Sequence, residues 1–109
     1  MFKGHRIERK VEMQLFLDLI RCFDDSRIIL TNHAFFRLSD EQRKVFKEEV
    51  IKNVILRDKP IFVGRQYNQC YAVFYNYGKD VLKIILDVQP DRIYIVTFYF
   101  IEYDKIPRL

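Results

Sequence analysis

Residues 61–103, with the sequence IFVGRQYNQCYAVFYNYGKDVLKIILDVQPDRIYIVTFYFIEY, decide the fold of this 109-residue chain. β-branched and aromatic residues, which favour strands, fill four segments of it. These segments are residues 61–67, 70–77, 81–88 and 93–103. The breaks between them are too short to connect parallel strands, because parallel neighbours need a long crossover. The pattern therefore predicts a four-stranded antiparallel β-meander.

The N-terminal half carries the helical period. Apolar residues within 11–23 recur at steps of three and four, which predicts a first helix. A short helix is expected to start at His33, and Ser39 opens a capping box for a main helix that ends before Pro60. Residues 28–30 predict a strand or an extended link. We therefore expect an α+β fold with two to three N-terminal helices packed on one face of the meander.

Composition predicts one domain over residues 1–109. Half of the residues are hydrophobic, and there are only three glycines and three prolines. Cys22 and Cys70 form no C-x-x-C pair, so neither a zinc site nor another cofactor is predicted. No apolar stretch approaches the roughly 20 residues that span a bilayer, and residues 1–10 lack an apolar signal core. We expect a cytoplasmic protein with no membrane partner.

The basic charge of the chain is spread out. The net charge is +4, with a small basic excess in each of residues 1–39, 40–59 and 60–109. One local cluster stands out near the N-terminus, and its members are candidate RNA-binding residues. They are Lys3, Arg6, Arg9 and Lys10. A mild basic balance also simply keeps proteins soluble, so this alternative stays open.

Strand alternation assigns side chains to two faces of the predicted sheet. One face is almost wholly apolar and is expected beneath the helices; it carries Val73, Tyr75, Leu82, Ile84, Leu86, Val88, Ile93, Ile95, Thr97 and Tyr99. The other, mixed face carries Val63, Arg65, Ala72, Phe74, Asn76, Lys83, Ile85, Asp87, Tyr94, Val96, Phe98 and Phe100. On the mixed face, rings such as Phe74 and Phe98 would stack on RNA bases while the cations neutralise phosphates. The alternative is a homodimer interface, or a face covered by residues 1–10 or the first helix.

Catalytic candidates are limited to acid–base chemistry without a metal. Cleavage of RNA through its own 2′-hydroxyl needs a base, an acid and a cation beside the phosphate. His33 and Arg37 are four residues apart and share one helix face, so His33 is a candidate base or acid and Arg37 a candidate phosphate ligand. The second candidate set is Arg65, Lys83 and Tyr94. The plainer alternative makes His33 a helix-capping residue and Arg37 a solvated charge.

Residues 29–37, ILTNHAFFR, resemble the T-x-H-A-x-x-R opening of small domains linked to the RelE toxin superfamily. The proline-led segment at 59–63 and the segment IYIVT at 93–97 are similar to later strands of those domains. The resemblance covers about residues 28–103. It implies the barnase–EndoU–colicin–RelE fold, with helices on one face of an antiparallel sheet and often an active site on the other.

The resemblance also implies a function. Many members of that superfamily are metal-independent ribonucleases, so we expect an RNA-directed protein and a toxin-type endoribonuclease. The alternatives are a non-catalytic nucleic-acid-binding protein and a homodimeric structural or regulatory protein. Residues 1–25 lie outside the resemblance and are expected to serve dimerisation or contact with an antitoxin-like protein partner.

Overall fold

The computed structural model describes residues 6–31 and 48–107. Six strands and two α-helices lie in these ranges. In chain order they are β1 (Ile7–Lys10), α1 (Met13–Ile20), β2 (Ile28–Leu30), α2 (Glu48–Arg57), β3 (Phe62–Gln66), β4 (Tyr71–Tyr77), β5 (Asp80–Val88) and β6 (Ile93–Ile101). Neither helix is long and apolar enough to cross a membrane.

All six strands form one sheet in the order β1-β3-β4-β5-β6-β2. Strands β3 to β6 make the antiparallel meander, and β1 pairs antiparallel with β3 at one edge. Strand β2 lies at the other edge and runs parallel to β6, with Ile28 opposite Ile93. The sheet is therefore mixed.

The predicted four-stranded antiparallel sheet with two to three N-terminal helices is wrong. The four meander strands lie where the sequence places them, but β1 and β2 extend the sheet at both edges. The sequence of β1 is IERK, which shows no apolar alternation, and β2 has only three residues. Two short helices are present in the described ranges; the predicted helix start at His33 and the opening of the main helix at Ser39 lie outside them.

The helices cover one side of the sheet, here called the helix side. Phe16 and Ile20 of α1 are four residues apart and are buried together with Ile51, Val54 and Ile55 of α2. The sheet residues of this core are Val63, Val73, Tyr75, Leu82, Ile84, Leu86, Ile93, Ile95 and Phe98. Because α1 contributes to this core and β1 to the sheet, residues within 1–25 are integral to the fold.

The opposite side of the sheet, here called the second side, has its own smaller core. Its buried residues are Phe62, Ala72, Phe74, Val81 and Ile85, and Ile7, Ile61, Ile101 and Ile106 pack against them. Gly64 lies in β3 beneath β1, and a Cβ on it would come within 2.6 Å of Cγ2 of Ile7. A larger residue at this position would therefore displace the side chain of Ile7, which packs over Gly64.

Two register features overturn part of the predicted face assignment. The amide of Gln66 donates a hydrogen bond to the carbonyl oxygen of Cys70, so the β3–β4 turn is closed by three residues, 67–69, rather than two. Val63 and Arg65 therefore lie on the helix side. A β-bulge at Val96 then shifts β6, because Ile85 pairs with Thr97 while Leu86 pairs with Ile95. After the bulge, Phe98 and Phe100 face the helix side, and Thr97 and Tyr99 face the second side.

Candidate functional site

The predicted catalytic residues are not brought together in the described part of the chain. His33 and Arg37 lie outside the described residues, as does Lys3. Arg65 lies on the helix side of β3, whereas Lys83 and Tyr94 lie on the second side, where Tyr94 is paired with Asp87. The sheet itself therefore separates Arg65 from the other two members of its set.

The predicted base-stacking rings are buried. Phe74 is 1% exposed and Phe98 is 2% exposed, and the two rings face opposite sides of the sheet. The ammonium of Lys83 lies 5.4 Å from the ring centroid of Phe74 and 5.4 Å from that of Tyr99. This arrangement is a cation–π cluster, and the rings of Phe74 and Phe98 are not open to bases.

The structure does bring two of the predicted cationic residues together, at the edge of the sheet where β1 pairs with β3. Arg9 of β1 is the register partner of Arg65 of β3. Directly opposed residues of antiparallel strands have Cβ atoms about 4.5–5.5 Å apart, and like charges at such positions destabilise the pair. Within the described residues Arg9 makes no hydrogen bond or ion pair.

Arg65 is held in one place by its own neighbours. Its Nε donates a hydrogen bond to the carbonyl oxygen of Gln69 at 3.1 Å, and its Nη1 donates one to the Tyr71 hydroxyl at 3.3 Å. Its Cζ lies 4.7 Å from the centroid of the Tyr71 ring. The centroid of the Tyr71 ring lies in turn 5.8 Å from that of the Phe16 ring. The Nη2 group has no partner among the described residues, so its two N–H donors are free for a ligand.

The backbone conformation of the β3–β4 loop produces this support. Gln69 has a φ of 74°, the left-handed conformation that completes a three-residue hairpin loop. The side chain of Asn68 accepts a hydrogen bond from the Cys70 amide at 3.0 Å and fixes the loop. The loop thereby turns the Gln69 carbonyl towards Arg65.

Arg9 and Arg65 line a groove of about 230 Å³ between β1, β3 and the start of α1. Its lining residues are Arg9, Lys10, Val11, Glu12, Leu15, Phe16, Arg65 and Tyr71. We call this the arginine groove. Its one carboxylate, Glu12, forms no ion pair with either arginine. The ammonium of Lys10 lies 5.9 Å from the centroid of Phe62, a residue of the second side, so the cationic character of the groove comes from the two guanidinium groups.

A second concavity of about 210 Å³ lies where both helices end. Its charged residues are Arg21, Arg57, Asp58 and Lys59. Basic side chains at helix C-termini complement the negative end of the helix dipole, and Asp58 adds a carboxylate. The charge of this concavity is therefore partly balanced, whereas in the arginine groove two arginines are directly opposed and neither forms an ion pair within the described residues.

Two ionisable groups outside the arginine groove have pKa values that are shifted by their structural surroundings. The hydrogen bond from Arg92 lowers the pKa of Asp91, and burial raises the pKa of the Cys70 thiol. The described residues contain no group of three or more His, Cys, Asp or Glu side chains placed to hold a metal ion.

Comparison with known proteins adds no relative: the chain matches no protein-family model, no curated protein and no solved structure. Sequence patterns had identified Arg9 and Arg65 separately but missed Tyr71 and Phe16, which complete the groove. A three-residue rather than a two-residue loop at 67–69 is the signal that would have placed Tyr71 beside Arg65.

Proposed function

We propose that this protein binds RNA without cleaving it, by holding phosphate groups in the arginine groove. The observation that supports the proposal is the direct opposition of Arg9 and Arg65, neither of which is paired with a carboxylate of residues 6–31 or 48–107. The choice of RNA among polyanions comes from the resemblance of residues 28–103 to the RelE superfamily.

The opposed arginines favour a bound anion on energetic grounds. Two cations on directly opposed residues repel each other, and an anion between them relieves that repulsion. Guanidinium groups bind phosphate oxygens through paired N–H donors, which makes arginine well suited to this role. Charged residues on an edge strand such as β1 also prevent unwanted strand pairing. That explanation does not extend to Arg65, because β3 lies inside the sheet between β1 and β4.

The groove is suited to phosphates rather than to bases. One face of the Tyr71 ring is occupied by Arg65, and Phe16 is buried, so neither ring is offered to a nucleobase. Leu15 is 62% exposed at the groove and provides apolar contact for a sugar. We therefore expect binding that depends little on base sequence, since sequence information resides in the bases.

The test is fluorescence anisotropy of a labelled single-stranded RNA with wild-type protein, Arg65→Ala and Arg9→Ala. Each substitution is expected to weaken binding about tenfold, because it removes a charge-assisted contact of about 1.5–3 kcal/mol that solvent partly replaces. Each lost phosphate contact should reduce the slope of log affinity against log salt by about 0.7 between about 50 and 200 mM salt.

The matched control is Arg57→Ala, which removes an exposed arginine at the end of α2 and leaves the arginine groove intact. It should change affinity less than twofold and thereby separates groove binding from general attraction to a basic protein. An equal loss in all three variants, or no RNA binding at low salt, would contradict the proposal.

The same samples also test the ribonuclease predicted from the resemblance. The RNA is incubated with protein in excess chelator and then resolved on a denaturing gel. Intact RNA is expected. Shortened products that disappear with His33→Ala would replace the binding proposal with a metal-independent endoribonuclease.

A further inference from the structure

Assuming the RNA binding proposed above, we propose that the arginine groove prefers a terminal phosphate monoester of the RNA to the internal phosphodiesters. The juxtaposition that carries this inference is the pair of guanidinium groups of Arg9 and Arg65, opposed across β1 and β3 and unpaired with Glu12.

The charge of the pair matches a phosphate monoester. An internal phosphodiester carries a single negative charge, whereas a phosphate monoester carries about −1.5 to −2 at pH 7 because its second pKa is near 6. Arg9 and Arg65 carry two positive charges, since a guanidinium group stays protonated in proteins. One diester neutralises one of these two positive charges, whereas one monoester neutralises about 1.5 to 2 of them.

The number of acceptor oxygens points the same way. A terminal phosphate has three oxygens free of the sugar, and an internal phosphodiester has two. Nη2 of Arg65 and the whole guanidinium of Arg9 have no partner among the described residues. Donors arriving from two sides are therefore better matched by three oxygens than by two.

The shape of the groove also suits the end of a strand. Val11, which follows β1, and Leu15 of α1 line the groove together with Arg65 and Tyr71. A volume of about 230 Å³ accommodates a phosphate with part of its sugar. An internal phosphodiester bound there has to lead the strand out of the groove in two directions, whereas a terminal phosphate leads it out in one.

Terminal phosphates occur at either end of an RNA, and the two share this chemistry. The experiment uses the full chain and one short RNA sequence in three forms: with a 5′-phosphate, with a 3′-phosphate, and with hydroxyl groups at both ends. Anisotropy is measured at low salt with an internal label. At least one phosphorylated form is expected to bind about tenfold tighter than the hydroxyl form.

The advantage should have two further properties. The advantage should grow between about pH 5.5 and 7.5, because the terminal phosphate loses its second proton near pH 6 and gains its second negative charge. It should shrink to less than about twofold in Arg65→Ala and Arg9→Ala, and it should persist in Arg57→Ala. Arg65→Lys keeps the charge but lacks the planar fork, and it is expected to lose most of the advantage while remaining folded.

The outcomes separate this inference from the proposed function. Equal affinity for all three RNAs, with loss of binding in Arg65→Ala, would overturn the preference for a terminal phosphate and leave RNA binding standing. No affinity for any of the three RNAs would overturn both.

Discussion

At the scale of single residues, the hydroxyl of Tyr75 is a buried polar group whose removal should stabilise the protein. The side chain is 1% exposed, and its hydroxyl has no hydrogen-bond partner in the described part of the chain. Burial first, and the charge of Asp58 second, raise the pKa of the Tyr75 hydroxyl above its ordinary value of 10.0. A buried donor without an acceptor costs free energy relative to the same group in water.

We predict that Tyr75→Phe raises the free energy of unfolding by about 1 kcal/mol at pH 7, because the change removes the unpaired hydroxyl and keeps the ring. The effect should grow above pH 10. There the unfolded tyrosine loses its proton while the folded one keeps it, so the unfolded state binds fewer protons and the stability of the wild type falls as the pH rises. Phenylalanine at position 75 removes this part of the pH dependence.

Urea unfolding at pH 7 and at pH 10.5 (about half a unit above the ordinary tyrosine pKa) measures both parts of this prediction. Tyr67→Phe is the control, since Tyr67 is exposed and its hydroxyl is already solvated. A Tyr75→Phe variant less stable than the wild type at pH 7 would show that the hydroxyl has a stabilising partner.

Single residues also mark the limit of what the sequence can indicate about the site. The sequence predicts Arg9 as an RNA-binding residue, because clustered cations have a local signature, and Arg65 as a catalytic residue of the mixed face. It does not predict their partnership, since Arg9 and Arg65 become neighbours only once β1 joins β3. Gly64 is a similar example. In the sequence it is an isolated glycine, and only the pairing of β1 with β3 shows that the side chain of Ile7 fills the space beside it.

At the scale of secondary-structure elements, the β-bulge at Val96 determines which residues of β6 enter the core. Before the bulge Ile93 and Ile95 face the helix side, and after it Phe98 and Phe100 do. The sequence V-T-F-Y-F at 96–100 has strand-forming residues on both faces, so strict alternation is as plausible as the shifted register. This is why the sequence predicted the strand but assigned its second half to the wrong faces.

Deletion of Val96 should destabilise the protein only modestly. Without the extra residue, Ile95 and Thr97 become consecutive, and each keeps its own partner in β5, so Phe98 stays on the helix side. We expect a loss of about 1 kcal/mol, which comes from the packing of the partly buried Val96 side chain. Denaturant unfolding followed by circular dichroism measures it.

The control for this deletion is Val96→Ala, which keeps the chain length and the bulge. Val96 is only partly buried, so this change should cost about 1 kcal/mol. A deletion variant about 3 kcal/mol or more less stable than Val96→Ala would contradict this prediction and would mean that the bulge itself stabilises β6.

At the scale of the whole molecule, local patterns predicted the middle of the sheet, and long-range pairing determined its edges. The meander strands follow one another in the chain, so short turns and alternation are enough to predict them. Strand β2 pairs with β6 in parallel across most of the chain, as Ile28 with Ile93 shows. Nothing local in three apolar residues specifies such a partner, and the mixed character of the sheet was therefore out of reach of the sequence.

The same scale bears on assembly. A homodimer was expected because the mixed face combined many apolar residues that seemed open. In the structure Val63 and Phe98 lie in the helix-side core, whereas Phe74, 1% exposed, and Ile85, 6% exposed, lie in the core of the second side. The large apolar residues exposed in the described ranges are Leu15, Tyr67, Tyr99 and Tyr103, and three of these four carry a polar hydroxyl.

We therefore predict that the protein is a monomer of 13.4 kDa at micromolar concentration. A stable homodimer needs roughly 800 Å² of complementary surface on each partner, usually with an apolar centre, and the described surface offers no such sheet face. Light scattering after size exclusion, repeated over a tenfold or wider range of concentration, gives the mass directly. A mass of twice 13.4 kDa that is independent of concentration would contradict the prediction. Such a dimer would have to form through a strand edge or outside the described residues, and the RNA affinity of Arg9→Ala would then have to be interpreted with two arginine grooves per particle.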